Sequence, residues 1–214
     1  MVDRVDYARL TEMLRKAADK IKANRDYLSR LDAATGDGDH GIAVCKVADA
    51  IIATIGKDES RNIATVLKDI GWAVMSTDAG STSPLYGSFF MGMSSSKAAG
   101  NEALDASGFA AMLDEGMAGL RKNTKAEVGG KTMIDALVPA MAAIHTSIDS
   151  GRSLAQALTD GAGAAVNGAE ATRDMKALFG RAKNIGERSI GHIDPGAISM
   201  SLLFVGIKEG YEHG

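Results

Sequence analysis

The ten residues from Asp32 to Gly41 include three aspartates, three glycines and a histidine. Mg²⁺ takes hard oxygen ligands and is usually held by one or two carboxylates together with substrate phosphates. Asp32, Asp37 and Asp39 are therefore candidate metal ligands. The glycines allow backbone angles closed to other residues, so a short loop can turn its carboxylates inward. A solvated polar turn with helix caps would have the same composition, and the other loops must distinguish the two.

Three further connections carry residues that suit a nucleotide. They are the Ser/Thr-rich loop at residues 77–84, the glycine-containing turn at 129–132, and the basic segment 180–188 with the Asp-Pro-Gly sequence at 194–196. The free N–H groups of a helix start bind phosphate oxygens, and helix starts are predicted near His40 and Ser81. Arg181 offers a planar donor fork to phosphate. Because phosphoryl transfer depends mostly on positioning and charge neutralisation, the loops predict a nucleotide-binding phosphotransfer site.

Spacing excludes two other sites of similar composition. A P-loop ending at Lys131 and Thr132 would need its first glycine at position 125, which is Lys125. A calcium-binding EF-hand loop starting at Asp37 would need a bidentate glutamate at its twelfth place, which is Ala48. Neither motif is present.

Apolar residues recur at three- and four-residue steps along most of the chain, the pattern of amphipathic helices. We predict eight helices, at about residues 6–29, 41–55, 60–76, 85–95, 107–120, 131–147 and 153–178, and from Pro195 onward. Ser107 and Asp194 are the predicted caps of the fifth and last helices. No stretch alternates between apolar and polar residues, so no strand is predicted, and residues 1–214 are interpreted as one all-α domain. In an up-and-down bundle every second connection lies at the same end, so the four connections should meet at one rim.

Composition narrows the class of protein. The formal net charge of −3 argues against a sequence-independent nucleic-acid binder, whose binding face is strongly basic. A single cysteine excludes an internal disulfide framework. The polar start of the chain, without an apolar signal or membrane-spanning run, predicts a cytoplasmic protein that does not enter a membrane.

Four ordered motifs resemble the nucleotide-binding L subunit of dihydroxyacetone kinases. They are LDAATGDGDHG at 31–41, GSTSPLYGSFF at 80–90, GKTMIDALVP at 130–139 and GRAKNIGERSIGHIDPG at 180–196. The resemblance implies an eight-helix antiparallel barrel with up-and-down topology. It also implies ADP or ATP held through two Mg²⁺ ions by Asp32, Asp37 and Asp39. The positions implied to contact the nucleotide are His40, Gly41, Ile42, Ala43, Ser81, Thr82, Thr124, Thr132, Met133, Arg181, Asp194, Pro195 and Gly196.

The same resemblance implies partners. The ketose would be bound covalently through a histidine of a separate K subunit, so this chain would work as a homodimer or hetero-oligomer. In one subtype ATP exchanges freely; in the other, ADP stays bound and is rephosphorylated by a phosphotransferase-system protein similar to the family's M subunit. A lone subunit favours the second subtype. An L subunit for a four-carbon ketose or tetritol, and a nucleotide sensor without turnover, are the alternatives. No catalytic residue is assigned within this chain.

Overall fold

The computed structural model describes residues 3–213, which contain nine α-helices. The helices are α1 (Tyr7–Ala23), α2 (Arg25–Ala33), α3 (His40–Lys57), α4 (Ile63–Met75), α5 (Thr82–Ser95), α6 (Ala106–Arg121), α7 (Ile134–Asp149), α8 (Leu154–Ala171) and α9 (Pro195–His213). Three 3₁₀ segments lie at Lys97–Gly100, Thr172–Asp174 and Arg181–Ser189. The predicted all-α class is confirmed.

Two short strands qualify the prediction that the chain has none. β1 (Val5–Asp6) pairs antiparallel with β2 (Ala103–Leu104), and Val5 faces Leu104 across the pair. Each strand is two residues long, too short to show an apolar–polar alternation. The pair ties the start of the chain to the residues before α6.

The predicted first helix is two helices, because the chain breaks at Asn24. The Asn24 side chain donates to the carbonyl oxygen of Lys20 at 2.8 Å, and its backbone N–H donates to that of Ile21 at 3.1 Å. An asparagine amide that bonds the preceding turn competes with the helix ladder. Eight predicted helices thus become nine within residues 3–213.

Other helix ends differ from the prediction where a different cap is used. The cap of α6 is Asp105 rather than Ser107, since its carboxylate accepts the N–H of Gly108 at 2.7 Å. The carbonyl side chain of Asn62 accepts the N–H of Thr65 at 2.9 Å and starts α4 at Ile63. α8 ends at Ala171 instead of near 178, where Thr172 begins a 3₁₀ turn. The predicted Asp194 cap is confirmed.

From α2 onward, helices that follow one another in the chain pack against each other, α1 packs on α3, and α9 packs on both α8 and α1. Glycines let the backbones approach closely. A Cβ at Gly206 of α9 would lie 2.3 Å from Cα of Ala17 in α1, and one at Gly92 of α5 would lie 2.1 Å from the carbonyl oxygen of Glu115 in α6. The high glycine content is therefore used at helix contacts as well as in loops.

The helix directions bring four chain segments to one end of the molecule. The loop between α2 and α3, the loop before α5, the turn before α7 and the segment between α8 and α9 all border the same cavity. Among the helices of the described residues, none combines the length and apolar character needed to cross a lipid bilayer.

Candidate functional site

The predicted convergence of four connections is confirmed by a cavity of about 370 Å³ that all four line. The cavity mixes charged and hydroxyl side chains with an apolar wall that includes Leu85, Met133 and Phe179. Sites for small molecules have this character, with a few placed polar groups set in apolar surroundings.

The three aspartates of the first loop form a cluster. One carboxylate oxygen from each of Asp32, Asp37 and Asp39 lies within 4.8 Å of the others. Asp32 lies in the last turn of α2 and is mostly buried. Its side chain accepts the N–H of His40 at 3.2 Å. Gly38 takes a positive φ of 79°, which turns the chain back between Asp37 and Asp39. Three carboxylates this close repel one another unless a cation lies among them, and their oxygens are the ligands that Mg²⁺ prefers.

Arg181 supplies a positive charge to this cluster. Its guanidinium pairs with the carboxylate of Asp37 and lies 3.5 Å from that of Asp39. Gly180, with φ of 64°, turns the chain immediately before Arg181. The arginine thus reaches from the 181–189 segment across the cavity mouth to the aspartate loop.

A hydrogen-bonded group joins the starts of three helices in the cavity wall. His40 Nε2 lies 3.0 Å from Ser199 Oγ, and the Tyr86 hydroxyl donates to the same oxygen at 3.1 Å. The Ser199 hydroxyl donates to the carbonyl oxygen of Gly196 at 3.0 Å. Since that proton is used, His40 donates from Nε2, and burial lowers the pKa of His40. A neutral imidazole therefore fixes α3 against α5 and α9.

The turn before α7 is organised by a buried carboxylate. Asp135 accepts the N–H of Gly129 at 2.5 Å and the N–H of Thr132 at 2.7 Å. Asp135 is 1% exposed, so these bonds replace the water that a carboxylate would otherwise need. The turn presents Thr132 and Met133 to the cavity.

Asp194 caps α9 from inside the cavity. Its carboxylate accepts the N–H of Ala197 at 2.7 Å, and its own N–H donates to Thr172 Oγ1 at 2.9 Å. Burial raises the pKa of Asp194 to about 7, with the negative charge of Asp135 acting in the same direction. The carboxyl group is thus poised to change charge near neutral pH.

The sequence profile of the DAK2 domain matches residues 34–209. The chain belongs to the DAK2 domain family. It is 38% identical over 186 residues to the ADP-binding subunit DhaL of PEP-dependent dihydroxyacetone kinase 1 from Listeria innocua, covering 87% of each chain. It is 32% identical over 204 residues to the DhaL subunit of the Escherichia coli PEP-dependent kinase, covering 94% of this chain and 97% of that one.

A solved structure has the same fold as this DAK2 domain. The dihydroxyacetone kinase of C. freundii, in complex with AMP-PNP and Mg²⁺, superposes with a TM-score of 0.73 at 25% identity. The match covers 98% of this chain but 35% of the kinase chain. The DAK2 domain thus corresponds to about a third of that enzyme.

Most of the residues predicted for the site line the cavity of the DAK2 domain. They are Asp32, Asp37, Asp39, His40, Ala43, Ser81, Thr82, Thr124, Thr132, Met133, Arg181, Asp194, Pro195 and Gly196. Gly41 and Ile42 do not. Gly41 faces α2, where a Cβ would lie 2.1 Å from the carbonyl oxygen of Arg25, and Ile42 is 46% exposed. A position in the cavity lining does not test what a residue does, so the role of each of these residues stays a prediction.

Several cavity residues were missed from the sequence. They include Thr35, Tyr86, Asn123, Lys131 and Phe179. Tyr86 and Phe179 lie in apolar stretches that resemble any buried helix or loop. Lys131 was considered as the end of a P-loop, and its actual partners are distant in sequence. The usable signal was motif membership, since Thr35, Tyr86 and Lys131 lie within the LDAATGDGDHG, GSTSPLYGSFF and GKTMIDALVP motifs.

Changing Asp194 to asparagine is expected to alter how the stability of the DAK2 domain depends on pH. Folding raises the pKa of Asp194 from ~3.9 in the unfolded chain to about 7. Its contribution is therefore fully stabilising below about pH 4 and is lost as the pH rises through about 7. Asparagine cannot ionise and still accepts the N–H of Ala197. As the pH rises across this range, the free energy of unfolding of the variant should therefore increase relative to that of the wild type.

Urea unfolding with EDTA at several pH values between about 4 and 8 measures this difference. A constant difference between the two proteins over that range would contradict the pKa shift. Asp26→Asn, an exposed change in α2 away from the cavity, is the control for a general effect of removing one carboxylate.

Proposed function

We propose that this chain is the ADP- and Mg²⁺-binding subunit of a dihydroxyacetone-type kinase, which transfers a phosphoryl group to a ketose held on a separate K subunit. The observation that carries the proposal is the cavity in which Asp32, Asp37, Asp39 and Arg181 meet the starts of α3 and α5. Two relatives named as ADP-binding subunits, covered over most of their length, support it.

The aspartate cluster fits a divalent cation, because its three oxygens are close enough for one ion or a pair of ions to contact them all. Bound Mg²⁺, which we propose to be two ions, would supply charge neutralisation for the nucleotide phosphates. Asp32 is fixed by the His40 N–H, while Asp37 and Asp39 are half-exposed and free to adjust to the ligand.

The remaining residues of the cavity position the nucleotide. The free N–H groups at the starts of α3 and α5, next to His40 and Thr82, face the phosphates. Arg181 supplies a bidentate donor to the phosphoryl group that moves. Thr124, Thr132, Met133 and the 194–196 turn bound the space for ribose and base. We assign the proton transfer from the substrate hydroxyl to the partner subunit, since His40 is held by Ser199.

The ketose-bearing partner would dock over the rim of the cavity. Val128, Leu178 and Ile190 are about half exposed and lie on the two connections that form the rim beside Arg181. The N–H of Leu178 donates to the carbonyl oxygen of Gly130 at 3.2 Å, which holds these two connections together. Exposed apolar side chains that together form a patch mark interaction surfaces, and we propose that these three residues contribute to the one that the K subunit covers.

The architecture proposed for the subunit is a single domain over residues 1–214, with α1 and α3 to α9 forming an antiparallel eight-helix barrel. Side-by-side packing along the chain, with α9 against α1, supports closure of the barrel. We propose a cytoplasmic hetero-oligomer with the K subunit. An M subunit of the phosphotransferase system would rephosphorylate bound ADP, as the PEP-dependent relatives suggest.

Purified protein, dialysed extensively in the presence of Mg²⁺, is expected to retain ADP in about one equivalent per chain, measured by chromatography after acid release. Combined with a K subunit, it should phosphorylate dihydroxyacetone when phosphotransferase-system proteins and phosphoenolpyruvate are supplied. A four-carbon ketose assayed alongside identifies the substrate, and ATP alone as donor identifies the other subtype. Tight ADP binding without turnover with any K subunit would overturn the kinase role in favour of a nucleotide sensor.

A further inference from the structure

Lys131 is a buried cation bonded to backbone oxygens. It is 1% exposed, and its ammonium donates to the carbonyl oxygens of Thr172 at 2.7 Å, Ser189 at 2.8 Å and Met175 at 3.1 Å. It also donates to the carbonyl oxygen of His192. Four carbonyl groups from one stretch of chain thus converge on a single side chain.

These four carbonyls flank residues 176–188, a segment that we call the excursion. Thr172 and Met175 precede residues 176–188, and Ser189 and His192 follow them. Arg181 is carried on this excursion and reaches the aspartate cluster from it. We call residues 172–175 and 189–192 the neck. Lys131 therefore joins the two sides of the neck, between which the chain carries Arg181.

Two further bonds join the two sides of the chain, one within the neck and one next to it. The Gly191 N–H donates to the carbonyl oxygen of Arg173 at 2.7 Å, and the Ala177 N–H donates to Ser189 Oγ at 2.9 Å. Lys131 itself has a φ of 60°, a conformation that a residue with a side chain rarely adopts. Such a conformation persists where the surroundings determine it strongly, and it is concentrated at functional sites.

We infer that Lys131 is a positioning residue of the phosphate site, which fixes the neck so that Arg181 is held at the cavity mouth. This inference rests on the proposed function and adds a lysine whose ammonium acts through Arg181, although Lys131 also lines the cavity. Removing the ammonium would leave four carbonyls without their shared donor, and the excursion would sample more positions. Arg181 would then spend less of its time where a phosphate lies.

Lys131→Met keeps the length of the side chain and removes its charge. We expect it to weaken Mg²⁺-dependent ADP binding by roughly tenfold, because it displaces a contact without deleting it. Amide hydrogen exchange should rise in residues 176–188 and stay as in the wild type along α1 and α9. Lys208→Met, in the C-terminal part of α9 and outside the cavity lining, is the control and should leave ADP affinity unchanged.

A double-mutant cycle separates positioning from a general loss of structure. If Lys131 acts through Arg181, Lys131→Met should have little further effect on ADP affinity in the Arg181→Ala background. Mn²⁺ binding without nucleotide, which reports on the aspartate cluster, should be at least as tight in Lys131→Met as in the wild type. Ser189→Ala removes the hydroxyl that accepts the Ala177 N–H and leaves the Ser189 carbonyl oxygen bonded to Lys131. It should show the same coupling, which keeps the proposal testable if Lys131→Met does not fold.

Wild-type affinity for ADP in Lys131→Met, or effects that add fully with Arg181→Ala, would overturn the inference and leave the proposed function standing. If Lys131→Met does not fold, additive effects of Ser189→Ala and Arg181→Ala would overturn it equally. A wild-type protein that does not bind ADP with Mg²⁺ would overturn the proposed function and the inference together.

Discussion

Asp37→Ala is expected to abolish Mg²⁺-dependent ADP binding in calorimetry. The change removes one of three carboxylates that lie within 4.8 Å of one another, and the remaining two cannot complete the proposed metal site. We expect a loss of at least ~100-fold in affinity, which corresponds to about 2.8 kcal/mol. Undiminished binding would refute the metal assignment.

The fold should survive this change, which makes the result interpretable. Asp37 is 48% exposed, and its ion pair with Arg181 lies at the cavity mouth. Exposed pairs of this kind contribute about 0–1 kcal/mol, and the change also removes a negative charge from a crowded cluster. The midpoint of thermal unfolding without metal should therefore be close to that of the wild type. Asp69→Ala, an exposed change on α4, should leave both ADP binding and stability unaltered.

The convergence of the site could be predicted from the sequence because it depends on connectivity. Helices of similar length with short connections place alternate connections at the same end, and this holds whether or not each helix boundary is correct. The break at Asn24 is an example, because predicting one helix in place of α1 and α2 did not change which connections meet. It adds a helix to the count but leaves α2 running into the aspartate loop.

A helix cap can be predicted from the sequence when one side chain accepts one N–H of the helix that follows it. Asp194 followed by proline predicts a helix start, and its carboxylate does accept the N–H of Ala197. The same reasoning placed the cap of α6 at Ser107, whereas the actual cap is Asp105, a residue type that can cap equally well. Propensity identifies a cap type, while packing selects the position.

The role of Lys131 could not be predicted in this way. Its acceptors are carbonyl oxygens 41 to 61 residues further along the chain, and every residue has a carbonyl, so no residue type marks them. The left-handed backbone at Lys131 leaves no trace in the sequence either, since the residue is not glycine. Sites held by backbone groups are visible only once the path of the chain is known.

Arg181→Ala is expected to change metal binding and nucleotide binding in opposite directions. The guanidinium of Arg181 pairs with Asp37 and lies 3.5 Å from Asp39, so it competes with a divalent cation for the same oxygens. Without nucleotide, Mn²⁺ should bind the variant more tightly than the wild type. With Mg²⁺ present at saturation, ADP should bind about 10- to 100-fold more weakly, the loss expected for a charge-assisted hydrogen bond to phosphate.

Manganese titration followed by electron paramagnetic resonance, and ADP calorimetry on the same preparations, measure the two effects. Arg188→Ala, an exposed arginine on the same segment that does not line the cavity, should change neither. Arg181→Lys should retain part of the competition with Mn²⁺ but less of the ADP affinity, because an ammonium lacks the bidentate fork. Weaker Mn²⁺ binding in Arg181→Ala would mean that the arginine supports the metal site instead of competing with it. The effects on Mn²⁺ and on ADP have opposite signs because one arginine cannot pair with the carboxylates and with the phosphate at once. A metal ion that takes the carboxylates frees the arginine for the phosphate. Metal and nucleotide would therefore bind cooperatively.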